Sequence, residues 1–144
     1  MEQIEYIENN GEILCIIIRA SYVHEGINFL TPNHFSQQLG YMQRPKNYKV
    51  KAHYHKLISR NITKTQEVLF IKFGKIRIDL YTMNRDYIES KILNSGDVAL
   101  IANCGHGLLF LEKSEIIEVK QGPYIETEDK KNFPAISEEE IIIK

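Results

Sequence analysis

The sequence predicts an all-β fold, a sandwich or a barrel. Three observations carry that expectation. Isoleucine, valine, tyrosine and phenylalanine are frequent, they gather in short runs, and turn-forming residues separate the runs. Many short strands with regular turns are the pattern of a β-sandwich or closed barrel.

The elements follow in chain order. Glu12–Arg19 is the first expected strand, a dense isoleucine run. Thr31-Pro32 pairs a capping residue with a proline at the first helical position and predicts a short helix over Asn33–Leu39. Further strands are expected at Tyr48–His55, Glu67–Phe73, Lys75–Tyr81, Ile88–Leu93, Val98–Ala102, Gly107–Leu111 and Glu115–Lys120. Gly74, Asn84, Asn94-Ser95-Gly96 and Cys104-Gly105 punctuate them. After Tyr124 the chain turns polar, and its last stretch is compatible with a terminal helix or an edge strand.

The length fits one domain, 1–144, with N-terminal strands and the short helix in 1–44, a barrel core in 45–124 and a polar extension in 125–144. Hydrophobic residues make up 43% and charged residues 26%, ordinary values for a globular protein. The net charge of -1 offers no basic field for nucleic acid or anionic lipid. Ile13–Ile18 is too short to cross a bilayer and follows no basic segment, so no membrane association is expected. Cys15 and Cys104 form no CxxC pair and read as reduced thiols of a cytoplasmic protein.

Strand parity places the chemistry. In Tyr48–His55, His53 and His55 share a face, because strand side chains alternate. Two neutral imidazoles on one face are half of a metal site. Leu69, Ile71 and Phe73 share a face with Glu67, and Ile76, Ile78 and Leu80 share a face after Gly74. If both apolar sets turn inward, Glu67 sits inside at a strand end, where a carboxylate needs a cation.

Five residues separate Asn47 from His53-x-His55, and six separate Glu67 from Gly74. Gly96-Asp97 opens a short apolar strand that ends at Cys104-Gly105-His106. These two segments resemble the paired motifs of the cupin superfamily over roughly residues 45 to 120. The chain departs from those motifs where Asn47 replaces glycine, where residues 56–66 lengthen the gap before Glu67, and where Phe110 replaces an asparagine. Asn also tolerates the left-handed backbone that glycine would supply. Phe29-Leu30-Thr31-Pro32, Gln37-Gln38-Leu39-Gly40-Tyr41, Arg44-Pro45-Lys46 and Ile117–Tyr124 resemble a subgroup associated with bacterial surface-polysaccharide gene clusters.

That resemblance implies a double-stranded β-helix, or jelly-roll barrel, holding a divalent transition metal on His53, His55, Glu67 and His106. Such a nitrogen and oxygen set accepts Fe, Mn, Ni, Co, Cu or Zn. It implies a small-molecule ligand and a homodimer, with Leu14–Ile18 as the candidate edge strand. The chemistry expected is isomerisation, epimerisation or lyase action on a sugar-like or hydroxy-keto substrate. Fe(II)-dependent dioxygenation and non-catalytic binding of a small ligand are the alternatives. Leu69, Ile71, Ile76 and Ile78 are expected to wall an apolar pocket. Glu118 and Lys120 are the acid/base candidates, with Lys51 and Tyr124 beside them. His24 and His34 match no motif position and read as surface or packing residues, and Cys104 as a small buried hydrophobe.

Overall fold

The computed structural model describes residues 3–144, so residues 1 and 2 of the expected N-terminal segment lie outside the described residues. The chain is mostly β, with antiparallel sheets and two single helical turns. It divides into two compact units, one formed by the chain up to Tyr22 together with Thr65–Lys144, the other by Val23–Lys64.

The larger unit is a sandwich. Its five-stranded sheet runs in the order β1 (Ile4–Asn9), β2 (Glu12–Ile18), β8 (Val98–Ile101), β5 (Glu67–Phe73) and β10 (Glu115–Lys120). Its three-stranded sheet runs β7 (Tyr87–Asn94), β6 (Lys75–Tyr81) and β9 (Gly105–Phe110). The hairpin β1–β2 turns on Asn10 and Gly11, both at positive φ, as a two-residue hairpin loop requires. Gly74, at φ 91°, turns β5 into β6, and an added Cβ would collide with Ser114 Oγ. That position admits only glycine.

Alternation works as the sequence indicates. Leu69 and Ile71 on β5 meet Ile76, Ile78 and Leu80 on β6, and all five are essentially without solvent exposure. Ile7, Cys15, Ile17, Ala99 and Ile101 complete the layer between the sheets. Phe73 departs from the expected parity role, since it sits at the strand end and is exposed. Arg77, Asp79 and Tyr81 do face the opposite way, yet they too are buried. The C-terminal segment covers them. Arg77 Nη1 and Nη2 donate to Glu138 at 2.7 and 2.8 Å, and Nε donates to Asp79 Oδ1 at 2.7 Å. Ser90 Oγ donates to the same Asp79 oxygen. Backbone bonds from Ser90 N to Ile142 O and from Lys144 N to Ser90 O pin the end of the chain along β7. The tail is therefore a strap with one 3₁₀ turn, Glu138–Glu140, rather than a terminal helix.

A charged ladder closes one seam of the sandwich. Lys144 Nζ pairs with Glu89 at 2.7 Å, Glu89 with Lys91 at 3.4 Å, and Lys91 with Glu5 at 2.7 Å. Arg19 donates to Glu5 from Nε at 2.6 Å, to Asp97 from Nη1 at 2.9 Å and to the Ile92 carbonyl at 2.7 Å. Burial pushes the Glu5 carboxyl up, but hydrogen bonds from Lys91 and Arg19 outweigh it and hold the group below its ordinary value.

The smaller unit holds the hairpin β3 (Gly26–Phe29) and β4 (Gly40–Gln43). Two expectations fail here. Asn33–Leu39 is not a helix. Gln38 Nε2 donates to the Pro32 and Phe35 carbonyls, and Thr31 Oγ1 accepts from Leu39 N, so side chains take up the groups that a helix would pair. Tyr48–His55 is not a strand, and every residue from 42 to 65 is exposed. Period-two patterning makes a strand only where a neighbouring strand accepts its backbone bonds. Leu14–Ile18 is no edge either, since β2 pairs with β1 on one side and β8 on the other.

Arg19→Met is expected to cost about 2–3 kcal/mol in urea unfolding, because it strands partly buried Glu5 and Asp97. The pH dependence has a defined sign. A carboxyl held low in the fold contributes stability above its unfolded value, about 4.5, and loses it as pH falls through the folded one. The stability gap between wild type and Glu5→Gln should therefore be full at pH 6 and shrink below about pH 4.5. A gap independent of pH would show that Glu5 is not charge-paired.

Candidate functional site

Glu67 opens β5 in one sheet, and His106 lies near the start of β9 in the other. Register carries both inward. Glu67 pairs across from Ile101 and His106 from Leu80, and both partners belong to the core layer. Their side chains meet across the sandwich, His106 Nε2 to Glu67 Oε1 at 2.6 Å. With Glu67 ionised, the proton of this bond is on Nε2. His106 Nδ1 is buried and without a hydrogen-bond partner. A buried polar atom left unspent is uncommon.

Lys120 sits directly across from Glu67 in the β5–β10 ladder, and Glu118 from Leu69, so both share the inward parity. Lys120 Nζ lies 3.1 Å from Asp129 and 3.2 Å from Glu118, and 5.4 Å from the centre of the Tyr124 ring. Hydrogen bonds to Asp129 and Glu118 hold the Lys120 ammonium above its ordinary value. Lys120 is thus a poor base and a fixed positive charge. Asp129, in the single turn Glu126–Asp129, had no signal in the polar tail to mark it.

Cys104 packs against the core layer, and its thiol donates to the Leu14 carbonyl at 3.4 Å. Burial, with the Glu67 charge adding to it, pushes the thiol up to about 12. Burial likewise pushes Cys15 well up. Neither thiol supplies a thiolate at neutral pH.

In the smaller unit, His53 and His55 lie edge to face with ring centres 5.5 Å apart. His53 Nδ1 is 2.8 Å from the Lys51 carbonyl, which fixes that nitrogen as the protonated one and leaves Nε2 free to accept. Asn47 adopts φ 68°, the left-handed backbone that the glycine of the motif would supply. His24 and His34 are exposed, the latter edge-on to Phe35. Leu69, Ile71, Ile76 and Ile78 are buried members of the core layer.

Among the described residues no group of three or more His, Cys, Asp or Glu side chains stands as a metal cluster. Donors nevertheless remain in two places. His106 carries an unpartnered ring nitrogen beside a carboxylate. His53 and His55 are two exposed imidazoles in ring contact. These are the residue types that bind borderline divalent ions. No family model matches the chain, and neither does any curated protein or solved structure.

The thiols give a direct check. In native protein at pH 7.5, iodoacetamide is expected to leave both cysteines unmodified by mass spectrometry, and in urea to modify both. Rapid alkylation of native Cys104 would return it to the list of reactive groups.

Proposed function

We propose that this chain is a metal-binding cupin, a jelly-roll barrel whose ion is held in the larger unit at Glu67 and His106. The observation that carries the reading is the meeting of Glu67 and His106 at 2.6 Å across the two sheets. These residues come from the two separate motif segments, sixty-seventh and one hundred and sixth in the chain, and local sequence does not force them together. The left-handed Asn47 and the crowded Gly74 support the first motif in the same way.

A bound divalent ion supplies Lewis acidity, polarising a carbonyl or hydroxyl oxygen of a small molecule. The chain supplies the rest. Lys120 holds a proton and a fixed positive charge on the Glu67 side of β10, suited to an oxygen that gains negative charge. Glu118 is the carboxylate closest to it in the strand and the candidate to take a proton. A substrate with adjacent oxygens, sugar-like or hydroxy-keto, suits this pairing of cation and carboxylate. The reaction class we assign is isomerisation, epimerisation or elimination.

One observation favours a second reading, a non-catalytic module for a small polar ligand. Lys120 and Glu118 are paired with one another, and Asp129 engages the lysine as well. Such mutual pairing leaves neither group poised for proton transfer.

Elemental analysis of the purified chain tests the reading. We expect about one transition-metal ion per chain, and loss of most of it in the combined Glu67→Ala and His106→Ala variant. Full occupancy in that variant would remove the proposed site. With metal present, a product formed only with O2 and Fe(II) would select dioxygenase chemistry. Ligand binding without turnover would select the module.

A further inference from the structure

We propose that Phe133, on the C-terminal strap, is a positioning residue that sets the imidazole of His106. Glu67 is the partner the ring has at Nε2, and Nδ1 has none, so hydrogen bonding alone leaves its orientation to one contact. The backbone beneath it must then be held. Phe133 lies against Gly105, the preceding residue. A Cβ built on Gly105 would stand 2.9 Å from Phe133 Cζ and 3.1 Å from Cε1, so the ring occupies the space that any side chain there would need. The same ring meets Tyr81 edge-on at 5.1 Å, and Tyr81 is the ladder partner of Gly105. Phe133 thus clamps both members of the strand pair that presents His106 on its other side.

The clamp is anchored along its length. Ile136 N donates to Tyr81 Oη at 3.2 Å, Glu138 takes two bonds from buried Arg77, and Ile142 N donates to Tyr87 Oη at 2.9 Å. Each anchor reaches β6, the strand paired with β9, or β7 on the other side of β6. A strap serving stability alone has no need to seat an aromatic ring on a glycine next to a site residue. This inference rests on the assignment of His106 to the metal site, though its first readout does not require a metal.

The test uses the full chain with histidine imidazoles labelled with 15N. In metal-free wild type, the His106 Nε2 proton bonded to Glu67 is expected as a distinct downfield resonance. Phe133→Ala should broaden or lose it, leave the His24 and His34 signals in place, and lower Zn(II) affinity roughly tenfold, the usual effect of removing a support for a ligand. Phe133→Leu should restore most of both. Gly105→Ala should disturb the same resonance in the wild-type background and add little in Phe133→Ala, because the two changes act on one contact. A folded Phe133→Ala, by circular dichroism, with an unchanged His106 resonance overturns the proposal. So does full additivity of Gly105→Ala and Phe133→Ala. If wild type binds no Zn(II) while the resonance responds as described, the metal assignment fails and the positioning role stands.

Discussion

A ladder of alternating charge, from Lys144 through Glu89, Lys91, Glu5 and Arg19 to Asp97, ties the edge of one sheet to the edge of the other. Each member is costly to take from water, and each has an opposite charge beside it. An apolar seam of the same shape would hold the sheets as well. What the ladder adds is register, since only one alignment of β1 against β7 pairs every charge. Asp97 extends this control into the backbone. It accepts from Ala20 N and Asn94 N as well as from Arg19, and so fixes the turn that launches β8.

That closure makes the sandwich unequal. Along the β1–β7 seam the sheets are joined by ion pairs. The outer strands at the opposite side are β9 and β10, which leave Leu108, Phe110 and Ile117 exposed. The cross-sheet contact that involves β9 is His106 with Glu67. The Glu67–His106 pair therefore lies where the sandwich is least closed on itself. The C-terminal strap links the two regions, since it both ends in the ladder at Lys144 and seats Phe133 against Gly105, the residue before His106.

Much of the sandwich was legible in the sequence. Glu67–Phe73, Lys75–Tyr81 and Glu115–Lys120 form as read, because alternating apolar residues between clear turns leave one register that buries them. Glu67 and His106 were legible as partners only through the family motif, and their contact depends on packing that no local pattern records. The 31–39 and 48–55 segments were misread for one reason. Propensity and period describe what a segment can do, whereas side-chain bonds at Gln38 and the lack of a pairing strand at His53 decide what it does. Strands β1, β3 and β4 were missed because their apolar residues are few and mixed with Glu, Asn and Gly. The ladder was invisible, since its members come from five separate stretches of chain.

The central claim, as proposed above, is that Glu67 and His106, brought together from the two sheets, form a metal site. The most direct measurement is a titration of the 15N-histidine protein with Mn(II), read as paramagnetic broadening of each of the five imidazoles. The account predicts that His106 broadens at the first equivalent in wild type and not in Glu67→Gln, while His24 and His34 stay sharp. Broadening of His53 and His55 with His106 untouched, or equal broadening of all five, would contradict it.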